Sequence, residues 1–182
     1  MGKTGKLISV RFILMVLLMG MFAIPSYGKI VSITQLGFMI KKILPNPKTI
    51  PVLYPAYNKD MIKRDAKMAY TILRKKIMIY DISREFEIVK KINRISRLDN
   101  VSVIVITDKN MFSTKTIKFI SKKLMKNKIP LFTNRKGDTG FEAFVCMFYN
   151  EKKKLETHIN KSQMQKLDVT VNPVLLEKFI VK

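Results

Sequence analysis

The sequence predicts an α/β fold: a mainly parallel open sheet flanked by helices, with a C-terminal antiparallel hairpin and a terminal helix. Three observations predict it. Up to residue 133, short β-branched runs alternate with segments of helical periodicity, which is the pattern of repeated strand–helix units. The run VSVIVIT at 101–107 carries no charge, as a strand buried on both faces requires. Two later strand-like runs, GFEAFVCMFYN and KLETHIN, are separated only by EKKK; that spacer is too short for a crossover helix, so the pair should be antiparallel.

Each element has its own signal. Ile33, Leu36, Ile40 and Ile43 recur at helical spacing, and Pro45 and Pro47 follow them, so a short amphipathic helix opens the domain and stops there. TIPVLYP is a compact strand bounded by prolines, and Ile62, Ala66, Ala69 and Leu73 then form one helical stripe. KIMIYDI reads as the second strand. Ser83 is placed to cap the next helix, with Glu85 and Glu87 near its positive N-terminal end and Ile88, Ile92 and Ile95 on its buried face. After the third strand, Ser113 is placed to cap a helix carrying Ile117, Ile120 and Leu124, and KIPLFT is the fourth strand. Pro173, well suited to a first helical position, should begin a last helix through Leu175, Leu176 and Phe179.

The N-terminus reads differently. Lys3, Lys6 and Arg11 precede a thirteen-residue apolar run, Phe12 to Ile24, followed by Pro25, Ser26 and Gly28. This is the layout of a secretory signal peptide over residues 1–28, cleaved before Lys29, with one α/β domain over 29–182. The alternative is an uncleaved anchor that tethers the domain to the membrane. Either reading places the domain across a membrane, in the periplasm.

Lys and Arg outnumber Asp and Glu 35 to 13, a net charge of +22. Charge of this size suits an anionic partner, and export argues against nucleic acid. Lys exceeds Arg 28 to 7, so a solvated lysine surface set by genome composition accounts for the excess equally directly. Cys146 is the only cysteine; an intramolecular disulfide is impossible, and within FEAFVCMFY the thiol should pack as a small hydrophobe.

The residues point away from catalysis. Asp138-Thr139-Gly140 matches the aspartic-protease tripeptide, but it occurs once and follows NRKG, whereas that chemistry needs two aspartates sharing a proton. Asp138 therefore reads as a turn residue in a flexible glycine-bracketed loop. His158 is the only histidine; alternation along KLETHIN sets it with Glu156 and Asn160, as an exposed edge-strand residue. One histidine and one cysteine leave no metal site. Phosphate-loop, dinucleotide and nucleophile-elbow signatures are absent, so no enzyme and no cofactor is expected. What a parallel sheet offers instead is a crevice at the carboxyl ends of its strands. The loops there contribute Tyr54, Tyr57, Thr107, Asp108, Thr133, Asn134 and Arg135, a polar and aromatic lining for a small ligand or partner.

The C-terminal half resembles a known family. The stretch from Val101 to Asn134, a Gly-containing loop, an apolar strand and KKLETHINKSQMQKLDVTVNPVLLEKF are similar to the YfiR-like exported proteins. The matching pieces are Val101 to Thr107, Ile117 to Leu124, Ile129 to Thr133, Gly140, Leu155 to Asn160, Gln163 to Leu167 and Leu175 to Phe179. This resemblance implies a non-enzymatic periplasmic regulator that restrains an inner-membrane signalling protein such as a diguanylate cyclase; a homodimer is one option for such an interaction module. The family's paired cysteines are missing, and its double-glycine turn is reduced to Gly137 and Gly140. A similar ending occurs in ABC-transporter substrate-binding proteins of the tryptophan-binding-like class. That likeness implies the alternative, a small-ligand-binding half-domain.

Overall fold

The computed structural model describes residues 30–45, 47–55, 59–82, 84–107 and 113–182. The signal-peptide reading of 1–28, the Ser83 cap, Tyr57 and Asp108 lie outside those residues.

The first helix, α1 (Ile33–Ile43), starts where its capping chemistry dictates. Ser32 Oγ accepts the Gln35 amide at 3.1 Å while Gln35 Oε1 accepts the Ser32 amide at 3.0 Å, a reciprocal capping box. Its stripe of Ile33, Leu36, Ile40 and Ile43 is buried, and Leu44 is already extended before Pro45. The second helix, α2 (Lys59–Leu73), packs against α1 and buries Ile62, Ala66, Ala69 and Leu73. Asp65 ties the two together, its Oδ2 accepting the Ile33 amide at 2.7 Å.

Gly37 sits in the middle of α1 because Leu73 fills the space beside it: a Cβ there would lie 2.2 Å from Leu73 Cδ1. Glycine lowers helix propensity by about 1 kcal/mol relative to alanine, so Gly37→Ala gains that term but crowds a buried leucine. We expect a net loss of about 1–2 kcal/mol, read from urea midpoints, and its reversal when Leu73→Val makes room. A Gly37→Ala protein as stable as the parent would contradict the packing.

The strands are β1 (Thr49–Tyr54), β2 (Lys76–Asp81), β3 (Val103–Val105), β4 (Leu131–Thr133), β5 (Val145–Tyr149), β6 (Leu155–Ile159) and β7 (Ile180–Val181). They form one seven-stranded sheet in the order β2-β1-β3-β4-β5-β6-β7. All neighbours are parallel except β5 and β6, the expected antiparallel hairpin.

Helices cover both faces. Ile50, Val52, Ile104, Phe132 and Val145 point to the layer formed with α1 and α2, joined later by Leu167 of α5 (Lys161–Leu167). Leu53, Val103, Val105 and Leu131 point to the opposite layer, against Ile88, Ile92 and Ile95 of α3 (Glu85–Ile95) and Ile117, Ile120 and Leu124 of α4 (Thr114–Met125). Ser113 caps α4 as expected, accepting the Thr116 amide at 3.1 Å.

Two expectations about the C-terminus change. Pro173 does begin a helix, but α6 (Pro173–Leu176) stops short of Phe179, and Ile180–Val181 joins the sheet beside His158 and Ile159. Backbone pairing with β6, closed by Lys182 N donating to Ile159 O at 2.9 Å and Lys161 N to Lys182 O at 2.8 Å, prevails over helical continuation for these β-branched residues. Consequently β6 is not an edge at His158. That histidine is buried rather than exposed.

Candidate functional site

The sheet order reverses direction at β1, whose neighbours β2 and β3 lie on opposite sides. In open α/β sheets ligands bind at such a switch point, outside the carboxyl ends of the strands, here those of β1 and β3. Neighbouring strands bring Asp81, Tyr54, Thr107 and Asn134 to that edge in spatial order. Tyr54 is in register with Asp81, and the Ile106 amide donates to Leu53 O at 2.9 Å, carrying the β1–β3 pairing up to Thr107.

Thr107 and Asn134 are joined directly. The Thr107 amide and hydroxyl both donate to Asn134 Oδ1, at 2.7 and 2.9 Å. A backbone N–H can only donate, so the asparagine oxygen faces β3 and its NH2 group is directed away from Thr107. This brace fixes Asn134, one position beyond β4, against the end of β3.

Tyr54 reaches the same edge but is buried in the layer beneath α1 and α2. Burial foremost, then the charges of Asp81 and Asp60, push its phenol pKa up, so it stays a neutral hydroxyl. Among the seven residues expected at the crevice, Thr107 and Asn134 are in contact, and Tyr54 is buried at the end of β1 beside Asp81. Thr133 and Arg135 go elsewhere.

They belong to an interior polar cluster on the α4 side of the sheet. Thr133, Cys146 and His158 are consecutive cross-strand partners on β4, β5 and β6. A short 3-10 turn, Asp138–Phe141, lies over this row, entered through Gly137 at φ 91° and left through Glu142 at φ 73°. The turn is held from both sides: Ser121 of α4 donates its hydroxyl to Glu142 O, and Asn160 Nδ2 donates to Thr139 O at 2.6 Å.

Asp138 is therefore not a solvated turn residue. It is fully buried, and Arg135 Nε donates to its Oδ1 at 2.7 Å. Burial raises its carboxyl pKa, and the Arg135 and Thr133 contacts only partly offset this. Burial likewise raises the Cys146 thiol, which stays protonated and unreactive. His158 packs edge-on against Phe148 at 4.8 Å, with Nε2 3.3 Å from Glu156 Oε2. Burial and the positive charge of Lys182 lower its pKa, so the ring is held neutral. The cluster brings an acid, a thiol and an imidazole to one region of the interior, all three of them buried. Sequence reasoning missed it; Arg135 three residues before Asp138, beside Gly137, was the available signal.

Neither family models nor curated proteins match this chain. Solved structures do. A conserved domain protein from Vibrio cholerae O1 biovar El Tor superposes with a TM-score of 0.72 at 16% identity, over 85% of this chain and 62% of that one. A ligand-free, open substrate-binding protein with adhesive properties from Clostridium difficile gives 0.71 at 18%, over 84% and 60%. An ABC domain in complex with L-Trp from Streptococcus pneumoniae gives 0.69 at 15%, over 82% and 60%. This chain shares their fold. It spans about three fifths of the length of each.

Proposed function

We propose that this chain is a small-ligand-binding half-domain related to substrate-binding proteins, taking an amino-acid-sized ligand in the crevice at the carboxyl ends of β1, β3 and β4. The observation that carries this is the Thr107–Asn134 brace between the ends of β3 and β4, next to the sheet's switch point, in a fold shared with proteins described as a substrate-binding protein and as an L-Trp complex. The comparisons favour this over the YfiR-like role of restraining a membrane signalling protein, which rests on the C-terminal motifs alone. The apolar run after Lys3, Lys6 and Arg11 supports export of the domain.

Calorimetric titration with a panel of L-amino acids, aromatic members included, tests the reading. Saturable binding of one of them is expected, and Asn134→Ala should weaken it about tenfold, the scale of one buried hydrogen bond, with an unchanged far-UV spectrum. The absence of saturable heat across the panel, or equal affinity in the variant, would remove the crevice as the site.

A further inference from the structure

A second concave site lies away from the crevice, on the α1 side of β5 and β6. β7 meets β6 only at His158 and Ile159, so among the described residues no strand lies beyond the first half of β6. Asn150 and Asn160 amides donate to Lys154 O and Phe144 O, which fixes the alternation of the hairpin: the even-numbered residues of β6 bond to β5, and the backbone of Leu155 and Thr157 faces outward. A groove of about 570 Å³ occupies that side, closed by α1 and by residues 178–180.

The groove has two kinds of wall. Its body is apolar: Met39, Met147 and Phe179 line it beside Phe38, Leu155 and Ile180, which are 44%, 43% and 46% exposed. Large side chains left in water side by side mark a binding surface when they line one concavity. Two exposed cations, Lys42 and Lys178, also line it. The acid present, Glu156, is already engaged, accepting from Asn150 Nδ2 at 2.6 Å and lying 3.3 Å from His158. The roof is rigid, because Gln35 is fixed by Ser32 at 3.0 Å and by the Tyr149 hydroxyl at 2.9 Å.

We propose that this groove binds an amphipathic organic anion, a monocarboxylate with an extended apolar tail. The tail lies on Phe38, Leu155 and Ile180, and the carboxylate is received by Lys42 and Lys178 with the outward amides of β6 as further donors. The volume is within the roughly 300–1,000 Å³ of small-molecule sites, and the charge sign matches a ligand that a chain of net charge +22 draws in.

Titration of the full chain with dodecanoate below its micelle concentration, against dodecanol as the uncharged analogue, tests this. One-to-one binding is expected, with dodecanoate preferred. Lys42→Gln with Lys178→Gln should weaken dodecanoate about tenfold, as loss of charge-assisted hydrogen bonds does, and leave dodecanol unchanged. Phe38→Ala should weaken both. Lys63→Gln with Lys67→Gln, the same charge loss on α2, should change neither. Equal affinity for the two probes, multiple sites per chain, or an equal loss in the α2 variant would each overturn the proposal; the last would reduce it to general attraction by a basic surface.

Discussion

Replacing Phe132 with alanine is expected to cost the fold about 3–5 kcal/mol, the range for removing a fully buried aromatic ring. Phe132 has no exposed surface, and its ring meets Phe144 edge-on, 5.6 Å between centroids and 83° between planes. The pair belongs to the layer beneath α1 and joins the middle of the sheet, β4, to the residue just before β5. Truncation removes both the transfer free energy of the ring and the contacts of its neighbours, which close-packed surroundings recover only in part. Phe132→Leu, which keeps most of the volume, should lose less than half as much. Urea unfolding followed by circular dichroism measures both, and similar losses for the two variants would show that packing around Phe132 is looser than the geometry indicates.

Breaking the Arg135–Asp138 pair should rank next, with a pH signature of its own. Arg135→Gln leaves a buried carboxylate without its cation, and such changes cost about 3 kcal/mol or more at neutral pH. The parent's pH dependence follows from the raised Asp138 pKa. The folded state then holds this proton more tightly than the unfolded state, whose value is 3.8. Asp138 contributes most below that value, and the contribution is lost as pH rises from there through the folded pKa. In Asp138→Asn this fall should vanish, so the parent and variant stability curves converge toward acid and separate upward from about pH 4. Denaturant midpoints from pH 3.5 to 7 measure it. Parallel curves for parent and Asp138→Asn would mean that Asp138 does not titrate differently on folding.

How much of this was legible in the sequence varies by element. All four apolar helix stripes, headed by Ile33, Ile62, Ile88 and Ile117, are buried where their spacing placed them. The β5–β6 hairpin follows from the length of its connection. At the candidate crevice, Thr107 and Asn134 were legible as residues just beyond strand ends, but their mutual hydrogen bonds were not, because they are 27 residues apart in sequence.

The sequence by itself determined the α/β class, the helix stripes and the cap at Ser113, since each depends on residues within a turn or two of one another. Tertiary structure alone decided that Asp138 and His158 are interior and that Ile180 and Val181 are a strand. The physical reason is the range of the interactions. His158 is covered by a segment 22 residues away, through backbone pairing that any β-branched residue could supply, and Asp138 is buried because α4 and Asn160 hold its turn against the sheet. Local spacing encodes which face of an element is apolar; which element covers that face is settled by competition across the whole chain.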